Sequence, residues 1–106
     1  MVVVNRLVLE CVVVKPVQNK TSPSGIPHAT FLVEHRSFQI EAGLKRQAWC
    51  KISVVASGLA LQPIAKQLVI GSKINIAGFI SQHESKNGLA KLVLHAEKID
   101  FLTHGE

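Results

Sequence analysis

The stretch Lys73-Ile74-Asn75-Ile76-Ala77-Gly78-Phe79-Ile80-Ser81-Gln82 alternates in hydropathy with a period of two. Its three isoleucines fall on one side of an extended chain, and its lysine, asparagine and phenylalanine fall on the other. The stretch therefore predicts a β-strand with one face in a core and Phe79 on the opposite face.

The segments on either side predict a short helix before this strand and a hairpin after it. Pro63 can open a helix in which Ile64 and Leu68 share a face, although residues 68–70 could equally be extended. On the other side, Asn87-Gly88 is a strong hairpin-tip signal, and residues 89–101 supply another strand.

Further towards the N-terminus, three runs have strand character: residues 6–15, 28–38 and 45–56. Glu41-Ala42-Gly43 breaks the second run from the third. Residues 18–27 are dense in turn-forming residues, so we predict a loop there rather than a strand.

Five strands with at most one short helix between strands three and four, all within 106 residues, predict an all-β fold. The architecture that fits best is a five-stranded Greek-key barrel, the OB-fold, in which a helix often occupies that position. An SH3-like barrel is the main alternative. We expect a single OB-fold domain over residues 1–106, because a chain of this length has room for one core.

Trp49 is the most informative residue of the third strand. The alternation there places Trp49, Lys51 and two polar residues on one face, and an apolar set that includes Cys50 on the other. The apolar set is expected to face the core, which leaves the indole in solvent. An exposed indole beside a lysine is typical of a platform on which nucleic-acid bases stack, although a lone Trp is commonly half-buried packing.

The chain is basic, with 12 Lys and Arg against 7 Asp and Glu, which gives a net charge of +5. The cations lie where a barrel groove would need them, around the first loop, the third strand and the Asn87-Gly88 tip: Lys15, Lys20, Arg36, Lys45, Arg46, Lys51, Lys86 and Lys91. In OB-folds these regions border the oligonucleotide-binding face. The simpler alternative is a set of solvated surface lysines.

Other chemistries lack a signal in the sequence. The five His and two Cys show no metal-ligand spacing, and the chain has no nucleophile motif or phosphate-binding loop, so we predict no metal, no cofactor and no enzymatic activity. Cys11 and Cys50 lie in apolar alternating runs and are predicted to be reduced core cysteines. Without a signal peptide or a membrane-length apolar run, we expect a cytoplasmic protein with no membrane partner.

Several segments together resemble the primosomal replication protein N (PriB) family: Asn5-Arg6-Leu7-Val8-Leu9, Ser22-Pro23-Ser24-Gly25-Ile26-Pro27-His28, Leu32-Val33-Glu34-His35-Arg36-Ser37, Arg46-Gln47-Ala48-Trp49-Cys50, Gly78-Phe79-Ile80-Ser81 and Lys91-Leu92-Val93-Leu94-His95-Ala96-Glu97. They run in consistent order over nearly the whole chain. The Gly-Ser-x-Ile-x-Ile-x-Gly run at residues 71–78 is also similar to bacterial single-strand DNA-binding proteins.

The resemblance implies an OB-fold homodimer that binds single-stranded DNA and bridges the restart helicase PriA to DnaT. The family's DNA-binding positions carry over to Lys20, Arg36, Arg46, Trp49, Lys86 and Lys91. The chain departs from the family at Leu44, where the family has an aromatic residue, and at Glu84, where it has a basic one. Both departures are expected to weaken DNA binding.

Two features of the ends of the chain bear on this expectation. Val2-Val3-Val4 and Val12-Val13-Val14 make the first strand apolar on both faces, which favours a dimer over the alternatives of an aggregation-prone edge or double-sided packing. Residues 101–106 follow the last strand almost at once, without the acidic-ended flexible tail of strand-coating proteins. A protein-interaction module and an RNA-binding OB module remain the alternative functions.

Overall fold

The computed structural model describes residues 3–102, which form six β-strands and one short helix. In chain order the elements are β1 (Leu7–Val13), β2 (Gln18–Thr21), β3 (Pro27–Glu41), β4 (Leu44–Ser57), α1 (Gln62–Ala65), β5 (Lys73–Glu84) and β6 (Ala90–Phe101). The hairpin predicted at Asn87-Gly88 joins β5 to β6, and Gly88 there has the positive φ of +76° that such a tip requires.

Five of the strands close into a barrel. The sheet order is β1-β5-β6-β4-β3, and β1 also pairs with β3 through Val12 with Glu34 and Val13 with Val33, so that the sheet meets itself. All the pairings are antiparallel except that of β4 with β6. The predicted all-β barrel of five strands, with a short helix between the third and fourth predicted strands, is confirmed.

The barrel interior is filled by the apolar alternating positions. Ile74 and Ile76 of β5 are completely buried, as the period-two pattern predicts, and so are Val13, Val33 and Leu94 from three other strands. Phe31 also lies in the core. The described residues have no buried polar or charged side chain, so the core is stabilised by apolar burial.

The prediction of a loop over residues 18–27 is wrong in its first part, because Gln18–Thr21 forms β2. Its four side chains are exposed, and it pairs with the first residues of β3. This pairing lies along the β3 edge that β1 leaves after Val13. The backbone N–H and C=O groups of that edge are free to hydrogen-bond with a neighbouring strand. Residues 18–21 pair with them and form a strand despite their polar, turn-forming composition.

The hairpin of β3 and β4 continues beyond the barrel as an arm, defined here as residues 36–49. Pairing along the arm is unbroken to Glu41 with Leu44, and the two-residue turn has positive φ at Ala42 and Gly43. The described part of β6 pairs with β4 only from Ser53 onwards. The inner face of the arm therefore has no barrel wall opposite it.

The arm explains one wrong prediction about the cysteines. Cys11 is buried in the core, as expected, but Cys50 is exposed. The period-two pattern places Cys50 on the inward side correctly. It does not reveal that the strand has already left the barrel at this point.

The helix is a single turn, shorter than the predicted window. Ala65 and Leu68 bury their side chains against the core, and Gly71, with φ of +94°, turns the chain into β5. No described helix is long and apolar enough to cross a membrane. Val2 and residues 103–106, which entered the expectations about a dimer and a short tail, lie outside the described residues.

Candidate nucleic-acid interface

One continuous surface runs along the outer side of β2, β3 and β4. Residues directly opposite each other in an antiparallel pair share a face, so the register gives its rows: Lys20 with His28, Gln18 with Thr30 and Val55, Leu32 with Ser53, Glu34 with Lys51, Arg36 with Trp49, Phe38 with Gln47, and Ile40 with Lys45. We call it the outer face. From His28 to Ile40 it spans roughly 40 Å at ~3.3 Å per residue.

Trp49 stands at the junction of barrel and arm on the outer face. It is 54% exposed, as the alternation predicted. The indole Nε1–H donates a 2.7 Å hydrogen bond to Oε2 of Glu34, and the Arg36 guanidinium lies 5.8 Å from the ring centroid. The Lys51 Nζ is 6.0 Å from the same centroid. The ring is thus exposed, fixed at its edge and flanked by two cations.

Glu34 holds both the indole and the nearest cation. Its Oε2 also accepts a 3.3 Å hydrogen bond from Arg36 Nη2. The hydrogen bond from Trp49 and the positive charge of Arg36 lower the pKa of the Glu34 carboxyl against the opposing effect of desolvation. Glu34 is therefore ionised at neutral pH and fixes the orientation of Trp49 and Arg36. It also places one negative charge beside them.

A shallow groove crosses the outer face on the barrel itself. Its floor includes Thr30, Leu32 and Ser53, with Lys15 on the β3 side and Lys91 on the β6 side. Lys91 and Lys51 also line the adjoining depression next to Ile52. A groove with a mixed apolar and polar floor between two lysines can admit a polyanion whose apolar parts lie against the sheet.

The other predicted site residues are distributed unevenly around this groove. Lys20 lies on the outer face at its barrel end, and Lys86 lies in the turn between β5 and β6. Arg46 is an odd number of residues from Trp49 and so lies on the opposite face of the arm, where it pairs with Glu41 at 3.5 Å. The structure brings Trp49, Arg36 and Lys51 together and leaves Arg46 apart from them.

Phe79 also lies outside the core, but its ring is covered. It stacks on His95 with centroids 4.7 Å apart and planes 7° apart, and it is 39% exposed. His95 in turn shares a 2.6 Å hydrogen bond with Ser81 Oγ, and burial lowers the pKa of its imidazole. One face of Phe79 is therefore occupied, and Phe79 packs rather than standing free.

Sequence reasoning missed Phe38 and Glu34. Phe38 is 64% exposed on the outer face, and the Lys45 ammonium lies 4.4 Å from its ring centroid. Continuing the alternation from Arg36 would have placed Phe38 beside Trp49. No local pattern gives the contact from Glu34 to Trp49, because these residues are 15 positions apart and meet only through the hairpin register.

The described part of the chain has no assembled metal-binding site and no activated cysteine thiol. Residues 3–102 contain no group of three or more His, Cys, Asp or Glu side chains placed to hold an ion. Burial raises the pKa of the Cys11 thiol to about 12, so it stays protonated at neutral pH.

A closed five-stranded barrel with this groove on its outer face defines an OB-fold protein. A family described as "another single-strand binding protein family" matches residues 5–98. The chain is 54% identical to the replication restart protein PriB of Proteus mirabilis over 102 residues, which cover 96% of this chain and 97% of that one. It is 51% identical to PriB of Yersinia pestis over the full length of both. The chain belongs to the PriB family of replication restart proteins.

Solved structures with low sequence identity share the fold. PriB of Ralstonia solanacearum superposes with a TM-score of 0.78 at 22% identity, over 93% of this chain and 98% of that one. A Plasmodium falciparum SSB, solved in complex with ssDNA, has a TM-score of 0.74 at 18% identity over 97% and 98% of the two chains. These proteins therefore share the barrel fold with this chain although fewer than a quarter of the aligned residues are identical.

Proposed function

We propose that this chain binds single-stranded DNA along the outer face and acts in replication restart without catalysing a reaction. The observation that carries the proposal is Trp49, exposed and flanked by Arg36 and Lys51 on the face that OB-folds use for oligonucleotides. The names of the PriB relatives supply the process, and the SSB solved with ssDNA supplies a precedent for the ligand on this fold.

The proposed mechanism combines stacking and charge. An unpaired base lies against the face of the Trp49 ring. Glu34 accepts the hydrogen bond of the indole N–H and so keeps this face of the ring exposed to the base. Phosphates on either side of that base meet Arg36 and Lys51, and the strand continues into the groove between Lys15 and Lys91. In a duplex the base faces are stacked on each other, so a duplex interacts only through its phosphate charges. The protein therefore prefers the single strand.

The experiment that tests the proposal follows the fluorescence of Trp49, the one tryptophan of the chain, during titration with oligonucleotides at several salt concentrations. We expect quenching by single-stranded DNA and weaker binding of the matched duplex. With three to five phosphate contacts, the slope of log K against log salt should lie at about −2 to −3.5.

The alternative functions give different results in the same titration. A barrel that binds only proteins leaves the fluorescence of Trp49 unquenched by any oligonucleotide. An RNA-binding module prefers the RNA strand when matched RNA and DNA compete. A slope near zero contradicts the phosphate contacts even where the fluorescence changes.

The negative charge of Glu34 gives a second prediction. Glu34→Gln keeps an oxygen that can accept the indole N–H and removes a charge that repels phosphate, so affinity for single-stranded DNA should rise about threefold at low salt. Glu97→Gln, which changes the same charge on β6, should leave affinity unchanged. Weaker binding of the Glu34 variant would mean that holding Arg36 in place matters more than the repulsion.

We also propose the finer features that the resemblance implies: a homodimer that bridges PriA and DnaT in the cytoplasm, where the chromosome is replicated. The exposed apolar side chains of Val4, which precedes β1, and Val8 within β1 support the dimer, because a second copy would cover them. Sedimentation of the titrated sample measures the mass directly. The other site residues predicted from the sequence, Lys20, Arg46, Lys86 and Lys91, remain proposed DNA contacts.

A further inference from the structure

The arm carries apolar surface that neither the barrel nor the mechanism above uses. Phe38 and Ile40 are 64% and 72% exposed, and both lie on the outer face beside Trp49 rather than on the opposite side. The part of the arm beyond Trp49 pairs only within the hairpin. The side chains of this part of the arm do not help to close the barrel, so the closure of the fold does not account for the exposed Phe38 and Ile40.

Phe38 repeats the surroundings of Trp49 one step further along the arm. The Lys45 Nζ lies 4.4 Å from its ring centroid, as Arg36 and Lys51 lie near the Trp49 ring. Phe38 is directly opposite Gln47, so Trp49 is its diagonal neighbour on the same face. Diagonal neighbours are about 7–8 Å apart, which places the two rings in reach of nearby bases of one strand.

We propose that Phe38 is a second base-stacking platform and that Lys45 binds the phosphate beside the stacked base. In the free protein the ammonium covers one face of the ring. An exposed contact between a cation and a ring is weaker than a base stacked on an aromatic ring, so an incoming base displaces the ammonium. The displaced ammonium then meets the phosphate instead of returning to water.

The charges around the ring favour a nucleic-acid strand over an apolar protein segment as the occupant. Every charged side chain on the outer face of the arm is a cation, namely Arg36 and Lys45. At the barrel end Lys51 and Glu34 follow as an opposite pair, and Glu34 also bonds to Arg36. The carboxylate of Glu41 lies on the other face with Arg46. The patch is also continuous with the Trp49 site, so the same strand would cover both rings.

The inference rests on the proposed function, and its test separates the two. Affinities are measured for Phe38→Leu, Phe38→Tyr and the wild type, by anisotropy of two labelled strands of about 16 nucleotides, one of deoxythymidine and one abasic. We expect Phe38→Leu to weaken binding of the deoxythymidine strand about fivefold and to leave binding of the abasic strand, which has no base to stack, unchanged. Phe38→Tyr should bind both strands like the wild type.

Gln39→Ala is the matched control, because Gln39 is next to Phe38 in the chain and is exposed on the opposite face of the same arm. It should bind both strands normally. Unchanged binding of the deoxythymidine strand by Phe38→Leu overturns the inference. An equal loss for both strands, or an equal loss for Gln39→Ala, also overturns it, because either would indicate a general effect on the arm. A wild type that binds neither strand would instead contradict the proposed function itself.

Discussion

Trp49→Ala should weaken binding of single-stranded DNA at least about tenfold, because it removes a whole base-stacking surface. The effect should be seen in affinity and not in stability. The side chain is more than half exposed, and its one hydrogen bond is to a carboxylate at the surface. Since the variant lacks tryptophan, the measurement is anisotropy of a labelled strand, with thermal melting to establish that the fold is intact.

Trp49→Phe is the informative companion to the alanine variant. It keeps a ring for stacking but loses the N–H that Glu34 accepts, so it should recover most of the affinity. The salt dependence of Trp49→Ala should match the wild type, because Arg36 and Lys51 still meet the phosphates. Unchanged affinity of the alanine variant, or a loss matched by the phenylalanine variant, would contradict base stacking at this position.

The elements with a strong period-two pattern could be predicted from the sequence. The alternation in β5 placed Ile74 and Ile76 in the core, and the alternation in β4 placed Trp49 in solvent. Both predictions depend only on the geometry of an extended chain, in which neighbouring side chains point to opposite sides. Because this geometry depends only on neighbouring residues, these features can be predicted from a single sequence.

Features that depend on strand length and register could not be predicted in this way. β2 is polar throughout and exists because β3 offers it an open edge. Cys50 follows the alternation of the core and is nevertheless exposed, because the arm extends past the barrel. The separation of Arg46 from Trp49, by contrast, was available from the alternation, and grouping the cations by chain position alone obscured it.

The geometry of the arm also changes the effect on DNA binding that we expect from Leu44 and Glu84, the two positions at which the chain departs from the family. Leu44 lies on the face of the arm opposite Trp49, so within one chain an aromatic residue there would not extend the Trp49 surface. Phe38 supplies a ring on the Trp49 side instead. Glu84 ends β5 next to the turn that carries Lys86, and its charge opposes that of Lys86. The expected loss of affinity therefore falls on Glu84 more than on Leu44.

Gly78→Ala should destabilise the barrel by about 3 kcal/mol or more, because the added carbon has no space. Gly78 pairs with Ala96 at an irregularity between β5 and β6. A Cβ built there would overlap the carbonyl oxygen of His95, and it would lie 2.9 Å from the carbonyl carbon and 3.2 Å from the Cα of Ala96. All of these atoms belong to the backbone, so relief requires the two strands to separate.

Gly88→Ala is the matched control for this prediction, and urea denaturation measures both variants. Gly88 has a positive φ of +76° but nothing within 4 Å of a built Cβ, so its substitution strains the backbone without a collision. That strain should cost about 1–2 kcal/mol. A Gly78 variant as stable as the Gly88 variant would mean that β5 and β6 can move apart. The stacking of Phe79 on His95, which spans the same two strands, would then not be held rigidly by the barrel.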